Sequence, residues 1–323
     1  MNLIKANNAS AFMMINAILW GSSYIWSKIL LGYLPYFTVL FLYFFGGLLL
    51  VSLIYYKRIR SINRGTVKIG IFIGCLSILS NIFCMLALKN TTSSNTAFIV
   101  QMSVVITPFL MAAADRKLPG SRTVTSAVTA LAGLLLLTCD FRNFAFRAGD
   151  LFALANAIFF SLYLTALKIF TGKTDPVQFT FMQHVTGVFA FLGMALLFES
   201  GQIRHARLDS GVLAILAVSI AISVSTILIQ SSAIKFIRPE KATVIYTLEP
   251  VAASFFAFVL VGEKPAGTAG FIGCALILLA VFLSVYKRRK ITVRAASDKN
   301  SHSLGKDEIM AGEIGIHKLR IMR

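Results

Sequence analysis

One acidic residue of this chain stands deep within an apolar stretch, where a carboxylate is costly. At 1.5 Å per residue, Glu249 lies about 10 Å into the apolar segment that begins at Ala242. Ionisable groups at such a depth usually face a cavity or a partner and mark a substrate or proton pathway. A structural role stays open, because Glu249 could brace the helix break that the adjacent Pro250 predicts. Glu249 is therefore a candidate either for contacting a substrate amine or for exchanging a proton.

Polar and aromatic side chains also follow one face of the first apolar segment. Asn16, Trp20 and Tyr24 recur at every fourth residue, and Ser23 and Ser27 share their face. Exposing these polar side chains to lipid would cost free energy, so the stripe predicts that this face of the helix lines a water-filled cavity. Interhelical packing is the alternative, because polar side chains also serve as contacts between membrane helices.

Two later apolar segments carry similar stripes, and single amides or phenols in others could complete the cavity. The stripes include Ser219, Ser223, Thr226, Gln230, Thr243, Tyr246 and Thr247. The predicted substrate-binding residues are Trp20, Tyr24, Asn81, Gln101, Tyr163, Gln230, Tyr246 and Glu249. Such a lining, with few fixed charges, suits a small neutral or zwitterionic solute better than a polyanion. The lysines within spans, Lys28, Lys68 and Lys168, lie near span ends where their amines can reach the headgroups.

The elements that must position these residues are membrane-spanning helices. Hydrophobic residues make up 57% of the 323 and charged residues only 14%, well below the usual share in soluble proteins. About 20 consecutive apolar residues are needed for a helix to cross the hydrocarbon core. Ten such stretches are present: 10–31, 36–56, 67–88, 95–114, 123–139, 151–170, 177–198, 211–233, 242–261 and 266–286. The sequence thus predicts an all-α integral membrane protein with ten transmembrane helices.

An internal repeat divides these spans into two five-helix halves, 10–139 and 150–286. Because each half has an odd number of crossings, the second half must begin on the opposite side of the bilayer, so the halves are inverted. Secondary transporters use this arrangement, with the substrate site between the repeats and access that alternates between the two faces.

Positive charge sets the predicted orientation. Most of the 31 Lys and Arg residues fall in the N-terminal tail, in every second loop and after residue 286. Positive residues accumulate on the cytoplasmic side, so both termini are expected in the cytoplasm and the protein in the inner membrane. The net charge of +18 is interpreted as this topology signal and as attraction to anionic lipid, not as nucleic-acid binding, for which no motif is present. Residues 287–323 are expected to form a basic, disordered cytoplasmic tail.

Several short motifs, in order along residues 12–286, resemble the EamA-like branch of the drug/metabolite transporter superfamily. The motifs are Trp20-Gly21-Ser22-Ser23-Tyr24 with Lys28 and Pro35, Ser94-Asn95-Thr96-Ala97-Phe98 with Pro108, Gly149-Asp150-Leu151 with Tyr163, and Leu248-Glu249-Pro250-Val251 with Gly262-Glu263. The resemblance implies transport of metabolites or drugs, commonly export. The chain departs from the family pattern in having Tyr43 where members often carry an Arg, and Asp115-Arg116 where Gly-Glu is common.

The sequence motifs of other classes of protein function are absent. The chain has no phosphate-binding loop for ATP, no HExxH or GxSxG motif and no CxxC pair, so neither enzymatic activity nor a cofactor nor a metal is expected. The first hypothesis is a secondary carrier that exports amino acids or related metabolites, with proton coupling as an option. Alternatives are an efflux carrier for drugs or lipid-linked solutes and, less favoured, a membrane enzyme acting on a lipid. The sequence leaves a monomer and a homodimer open.

Overall fold

The computed structural model describes residues 4–91, 93–138, 147–172, 174–203, 209–262 and 267–286. Every regular element within these ranges is helical. The α-helices are α1 (Ala9–Leu30), α2 (Tyr36–Ile59), α3 (Arg64–Asn90), α4 (Ser93–Val100), α5 (Ser103–Asp115), α6 (Ser121–Thr138), α7 (Ala148–Thr171), α8 (Pro176–Phe198), α9 (Ser200–Ile203), α10 (Ser210–Ala233), α11 (Pro239–Tyr246), α12 (Leu248–Phe256) and α13 (Thr268–Val285). The predicted tail, 287–323, and the loop residues Arg204, Arg207 and Lys264 lie outside the described residues.

The helices confirm the predicted all-α membrane fold. Within the described ranges nine helical segments are long and apolar enough to cross a bilayer, and two of them, Thr96–Asp115 and Pro239–Leu260, each combine two helices that meet at a break. The remaining predicted span corresponds to α1, which has 22 residues. The polar stripe lowers the mean hydropathy of α1, so α1 is less apolar than the nine other segments.

The helix break near Glu249 lies earlier than the sequence indicated. The break was expected at Pro250, but α11 ends at Tyr246 and α12 begins at Leu248. A proline ring clashes with the carbonyl four residues before it, so the chain must leave the helix on the N-terminal side of the proline. Pro250 then lies in the first turn of α12, where a missing N–H needs no helical partner.

The two halves pack against each other through paired helices. α6 and α13 cross at Gly133 and Gly273, where a Cβ on either glycine would lie 2.7 or 2.6 Å from the other glycine's carbonyl oxygen. Small residues allow this close approach in a bilayer, where no hydrophobic force drives helices together. The pair α2 and α8 is joined at one end by Glu199, whose carboxylate accepts hydrogen bonds from the backbone N–H groups of Phe37 and Thr38, both at 2.8 Å. α6 and α13 also pack against the broken segments, and α2 and α8 pack against α10.

Candidate functional site

The polar stripe of α1 packs against the broken segment formed by α11 and α12. The indole of Trp20 stacks on the ring of Tyr246, with ring centroids 5.1 Å apart and planes 28° apart. Asn16 Nδ2 donates a hydrogen bond of 2.9 Å to the Tyr246 hydroxyl. Further along α1, the Tyr24 hydroxyl donates a hydrogen bond of 2.6 Å to Glu249 Oε1. Residues of the first half thus meet residues of the second half at the helix break.

The Tyr24–Glu249 pair forms the open part of this region. Tyr24 is 52% exposed, and Glu249 is half-buried. Cys84 of α3 and Tyr36 of α2 lie near enough to Tyr24 to influence it electrostatically. A carboxylate that can still be reached from outside the packed core can bind a cation or exchange a proton.

The close approach of α1 to α12 depends on a glycine. A Cβ at Gly21 would lie 2.6 Å from Ala252 Cβ and 2.7 Å from the Glu249 carbonyl oxygen. Any larger residue would therefore push the two helices apart. Gly21 fixes the distance at which Tyr24 can reach the carboxylate.

A second group of the predicted substrate-binding residues is buried and bonded within the protein. The hydroxyl of Tyr163 on α7 lies 2.8 Å from Gln230 Oε1 and 3.2 Å from Gln183 Oε1. Gln183 Nε2 donates in turn to the hydroxyl of Ser77, at 2.9 Å. Tyr163, Gln230 and Tyr246 are each at most 2% exposed. We call Asn16, Tyr246, Gln230, Tyr163 and Gln183 the buried polar cluster.

The structure does not bring Asn81 and Gln101 into either group. Asn81 Nδ2 donates to the carbonyl of Ser77 in its own helix, at 2.8 Å. Gln101 is buried at the break between α4 and α5. Six of the eight predicted residues therefore meet, and these two lie apart from them.

Gln183 and Phe160 were missed in the sequence. Phe160 has its ring centroid 5.9 Å from both Trp20 and Tyr246 and completes an aromatic layer with them. A signal was available, because Asn16-Ala17-Ile18 in α1 recurs as Asn156-Ala157-Ile158 in α7 and places Phe160 at the position equivalent to Trp20. No comparable pattern marked Gln183.

Among the described residues, the buried ring of His184 bonds within its own helix. Its Nδ1 lies 2.7 Å from the carbonyl oxygen of Thr180 in its own helix. The ring packs against Gly47 of α2, where an added Cβ would lie 2.2 Å from Nε2. Glycine offers no polar side chain, so the contact between α2 and α8 at this point is one of packing.

Basic residues stay at the ends of the helices. Lys168 Nζ donates to the carbonyl oxygens of Ile234, at 3.0 Å, and Lys235, at 2.7 Å, and so caps the C-terminus of α10 instead of reaching the headgroups. Arg238, just before α11, pairs with Glu240 and, at 2.7 Å, with Asp115 of α5. The hydrogen bond that Arg238 donates to Glu240 is the main reason that the pKa of Arg238 is raised. Among the described residues the buried polar side chains include no Lys or Arg.

The described residues hold no group of His, Cys, Asp or Glu side chains that could bind a metal ion. The site offers one carboxylate, several phenols and amides, and an aromatic layer. This combination can recognise a small organic molecule by charge, hydrogen bonds and stacking.

Comparison with known proteins agrees with this picture. The model of the EamA-like transporter family matches residues 8–139 and again 147–286. Two proteins of Archaeoglobus fulgidus, each described as an uncharacterized transporter, are 24% identical over 87% and 85% of this chain and over 86% and 96% of their own lengths. A crystal structure of a protein superposes with a TM-score of 0.73 at 20% identity, over 86% of this chain and 96% of the solved chain. At that identity the likeness concerns the fold alone.

Proposed function

Because this chain belongs to the EamA-like transporter family, we propose that it is a secondary transporter that exports small amine-bearing metabolites by alternating access. Amino acids and related compounds are the candidate solutes. The observation that supports this proposal is the Tyr24–Glu249 pair, which joins α1 of the first half to α12 of the second at 2.6 Å. A solute ammonium that binds Glu249 competes with Tyr24 for the carboxylate. Solute binding would thereby alter the contact between the two halves.

Proton coupling is part of the proposal. A carboxylate that binds either a proton or a substrate amine, but not both, exchanges one for the other across the membrane. Glu249→Gln keeps the shape of the side chain and removes its ability to titrate.

Flux into proteoliposomes tests the function. Vesicles that contain the purified chain should accumulate a labelled amine in response to a pH gradient, and the solute should be recovered chemically unchanged. Glu249→Gln should abolish the dependence on pH or weaken binding of the amine. If Glu249→Gln transports at the original rate with the original pH profile, the carboxylate is a structural brace.

The same assay separates the alternatives. Flux of lipophilic cations or lipid-linked solutes, without flux of small amines, would favour the drug or lipid-linked carrier. Covalent change of a lipid in the vesicle would favour an enzyme. Absence of flux for all these solutes would contradict transport altogether.

The placement in the membrane is also proposed. We propose that residues 10–139 and 150–286 are the two repeats, that the chain lies in the inner membrane with both termini in the cytoplasm, and that 287–323 form a cytoplasmic tail. Reporters fused after Tyr286 and within 58–64 should read cytoplasmic, and a reporter near Arg204 should read external. If the reporters at 58–64 and near Arg204 give the same side, the ten-span orientation is wrong.

A further inference from the structure

The broken segment formed by α11 and α12 is buried along α11 and open along α12. From Pro239 to Leu248 every residue is buried except Lys241, which is half-buried. From Glu249 to the end of α12 only Ala252 is buried. At the helical rise, the nine residues from Pro239 to Leu248 extend over about 13 Å. This buried stretch separates the Glu249 carboxylate from the end of the segment at which α11 begins.

Three side chains of α11 lead from its first turn toward Glu249. Glu240, Thr243 and Tyr246 recur at every third residue, so each lies next to the one before it on the helix surface. Thr243 is fully buried, and its hydroxyl bonds to the carbonyl of Glu240 in the same helix. Tyr246 belongs to the buried polar cluster and is covered by the rings of Trp20 and Phe160. A solute that approached Glu249 along α11 would have to pass Thr243 and then this aromatic layer.

An ion pair joins the two halves at the start of α11. Arg238 immediately precedes the helix, and its Nη2 donates a hydrogen bond of 2.7 Å to Oδ2 of Asp115, the last residue of α5. Asp115 falls in the first matched repeat, 8–139, and Arg238 in the second, 147–286. The two side chains are 37% and 57% exposed. Water can therefore replace either partner when they separate.

Other contacts hold Arg238 to the second half. Its guanidinium also bonds to Glu240, whose side chain is only 10% exposed. Lys168 of α7 donates to the two carbonyl oxygens that directly follow α10, in the short segment that ends at Arg238. Removing the partner of a buried charge is costly, whereas an exposed ion pair contributes little. If the halves separate at this end, the bond to Asp115 is the one that breaks and the bond to Glu240 stays.

Resting on the alternating access proposed above, we infer that the Arg238–Asp115 ion pair is a latch between the halves. The latch holds the start of α11 against the end of α5 while Glu249 is open along α12. When it parts, the surface of α11 at Thr243 becomes accessible, and a solute can approach Glu249 from the opposite side of the membrane. In the orientation proposed above the latch lies at the cytoplasmic face, so this structure is the state in which an exporter releases its solute.

The labelling rate of one buried cysteine tests this inference without any transport. Thr243→Cys is made in a chain whose four native cysteines are replaced by alanine. The chain is placed in lipid nanodiscs, where a water-soluble methanethiosulfonate reagent reaches both faces. Labelling should be slow in this parent chain, because residue 243 is fully buried. Adding Asp115→Asn should raise the rate about two- to fivefold, which corresponds to about 0.4–1 kcal/mol, the range for an exposed ion pair.

Asp175→Asn is the matched control. Asp175 pairs with Arg58 at 3.6 Å and also joins the two halves, so this change removes the same charge from a second ion pair. Asparagine retains the cap that Asp175 gives to α8, and Glu199 still joins α2 to α8 at their other end. The labelling rate should therefore stay that of the parent. Asp115→Glu keeps the charge of the latch and should also label slowly.

Salt gives a readout that a contact of packing alone would not change. Raising the ionic strength from about 0.1 M to about 1 M shortens the Debye length from about 10 Å to about 3 Å. The labelling rate of the parent should rise toward that of Asp115→Asn, so the ratio of the two rates should fall toward one. Ala242→Cys replaces Thr243→Cys as the labelled position if the latter lowers the melting temperature.

The outcomes separate this inference from the proposed function. Equal labelling of the parent and Asp115→Asn, or an equal increase in Asp175→Asn, would overturn the latch. If such a chain still accumulates amines in response to a pH gradient, the proposed function stands and only the latch is wrong. Faster labelling of Asp115→Asn in a chain that transports none of the solutes would support the latch as a contact that opens and would contradict the proposed transport.

Discussion

The two helix breaks of this protein occupy equivalent places in the two halves but have opposite character. At the break between α11 and α12, Glu249 meets Tyr24 in an open setting. The repeated Asn-Ala-Ile sequence makes Leu164 of α7 the counterpart of Tyr24, and Val104 is the second residue of α5 as Glu249 is the second residue of α12. Leu164 and Val104 are both fully buried and belong to one apolar cluster.

In the proposed transporter, an inverted repeat would thus supply symmetry for movement without duplicating the binding chemistry. Both breaks leave backbone groups that are free of regular helical bonds. The break between α4 and α5 is packed beside the buried apolar side chains of Val104 and Leu164, and the break between α11 and α12 has a carboxylate beside it. We call the break between α4 and α5 the covered side and the break between α11 and α12 the open side. We therefore expect substitutions on the covered side to alter stability and substitutions on the open side to alter transport.

The largest effect is expected from Glu249→Val, which gives the open side the apolar character of the covered side. Loss of a hydrogen bond to a charged group costs about 1.5–3 kcal/mol, so binding of an amine should weaken by about tenfold or more and flux should fall accordingly. Flux per folded molecule in proteoliposomes measures this. Val104→Ala is the matched control on the covered side and should retain flux per molecule. Equal loss of flux in both variants would contradict the contrast between the two sides.

The next largest effect is expected from Leu164→Ala on the covered side. Removing a fully buried leucine side chain should lower the free energy of unfolding by about 2–5 kcal/mol, because a cavity remains. Thermal unfolding in detergent measures the loss, and flux per folded molecule should be retained. A fall in flux without a fall in melting temperature would instead give the covered side a direct part in binding.

Gly21→Ala tests the contact that positions Tyr24. An added Cβ would lie 2.6 Å from Ala252 Cβ, and overpacking of this kind costs about 1–3 kcal/mol. The melting temperature should fall, and amine affinity should rise, since the Tyr24–Glu249 distance must grow and Tyr24 then competes less with the amine for the carboxylate. Ser161→Ala at the equivalent position of α7 should change both much less. If Gly21→Ala binds and melts like the original protein, α1 and α12 are not held at this distance.

The smallest effect is expected from Tyr246→Phe. Alanine at this position would leave a large cavity, because Tyr246 is 1% exposed. Phenylalanine keeps the stack with Trp20 and removes only the hydroxyl that accepts from Asn16. We expect a loss of about 1 kcal/mol in unfolding free energy and a severalfold change in flux. An unchanged flux would assign the hydroxyl to packing alone.

Side-chain hydrogen bonds explain why many residues of the predicted stripes do not line a cavity. Ser23, Ser219 and Thr243 lie on the expected faces, but each hydroxyl bonds to a carbonyl of its own helix. In a bilayer that carbonyl is the nearest acceptor and no water competes for the hydroxyl. Periodicity therefore predicts which face a polar residue occupies but not which partner it chooses.

The sequence by itself determined the spans, the repeat and the family motifs, because the hydrocarbon core demands long apolar helices and their order is read directly along the chain. It also singled out Glu249, since a carboxylate at that depth is rare. Only the tertiary structure decided that Glu249 meets Tyr24, that Gln230 meets Tyr163, and that Asn81 turns back on its own helix. These choices depend on how far each helix is rotated and how closely its neighbours approach. Contacts such as those at Gly21 set the approach, and they join positions far apart in the chain.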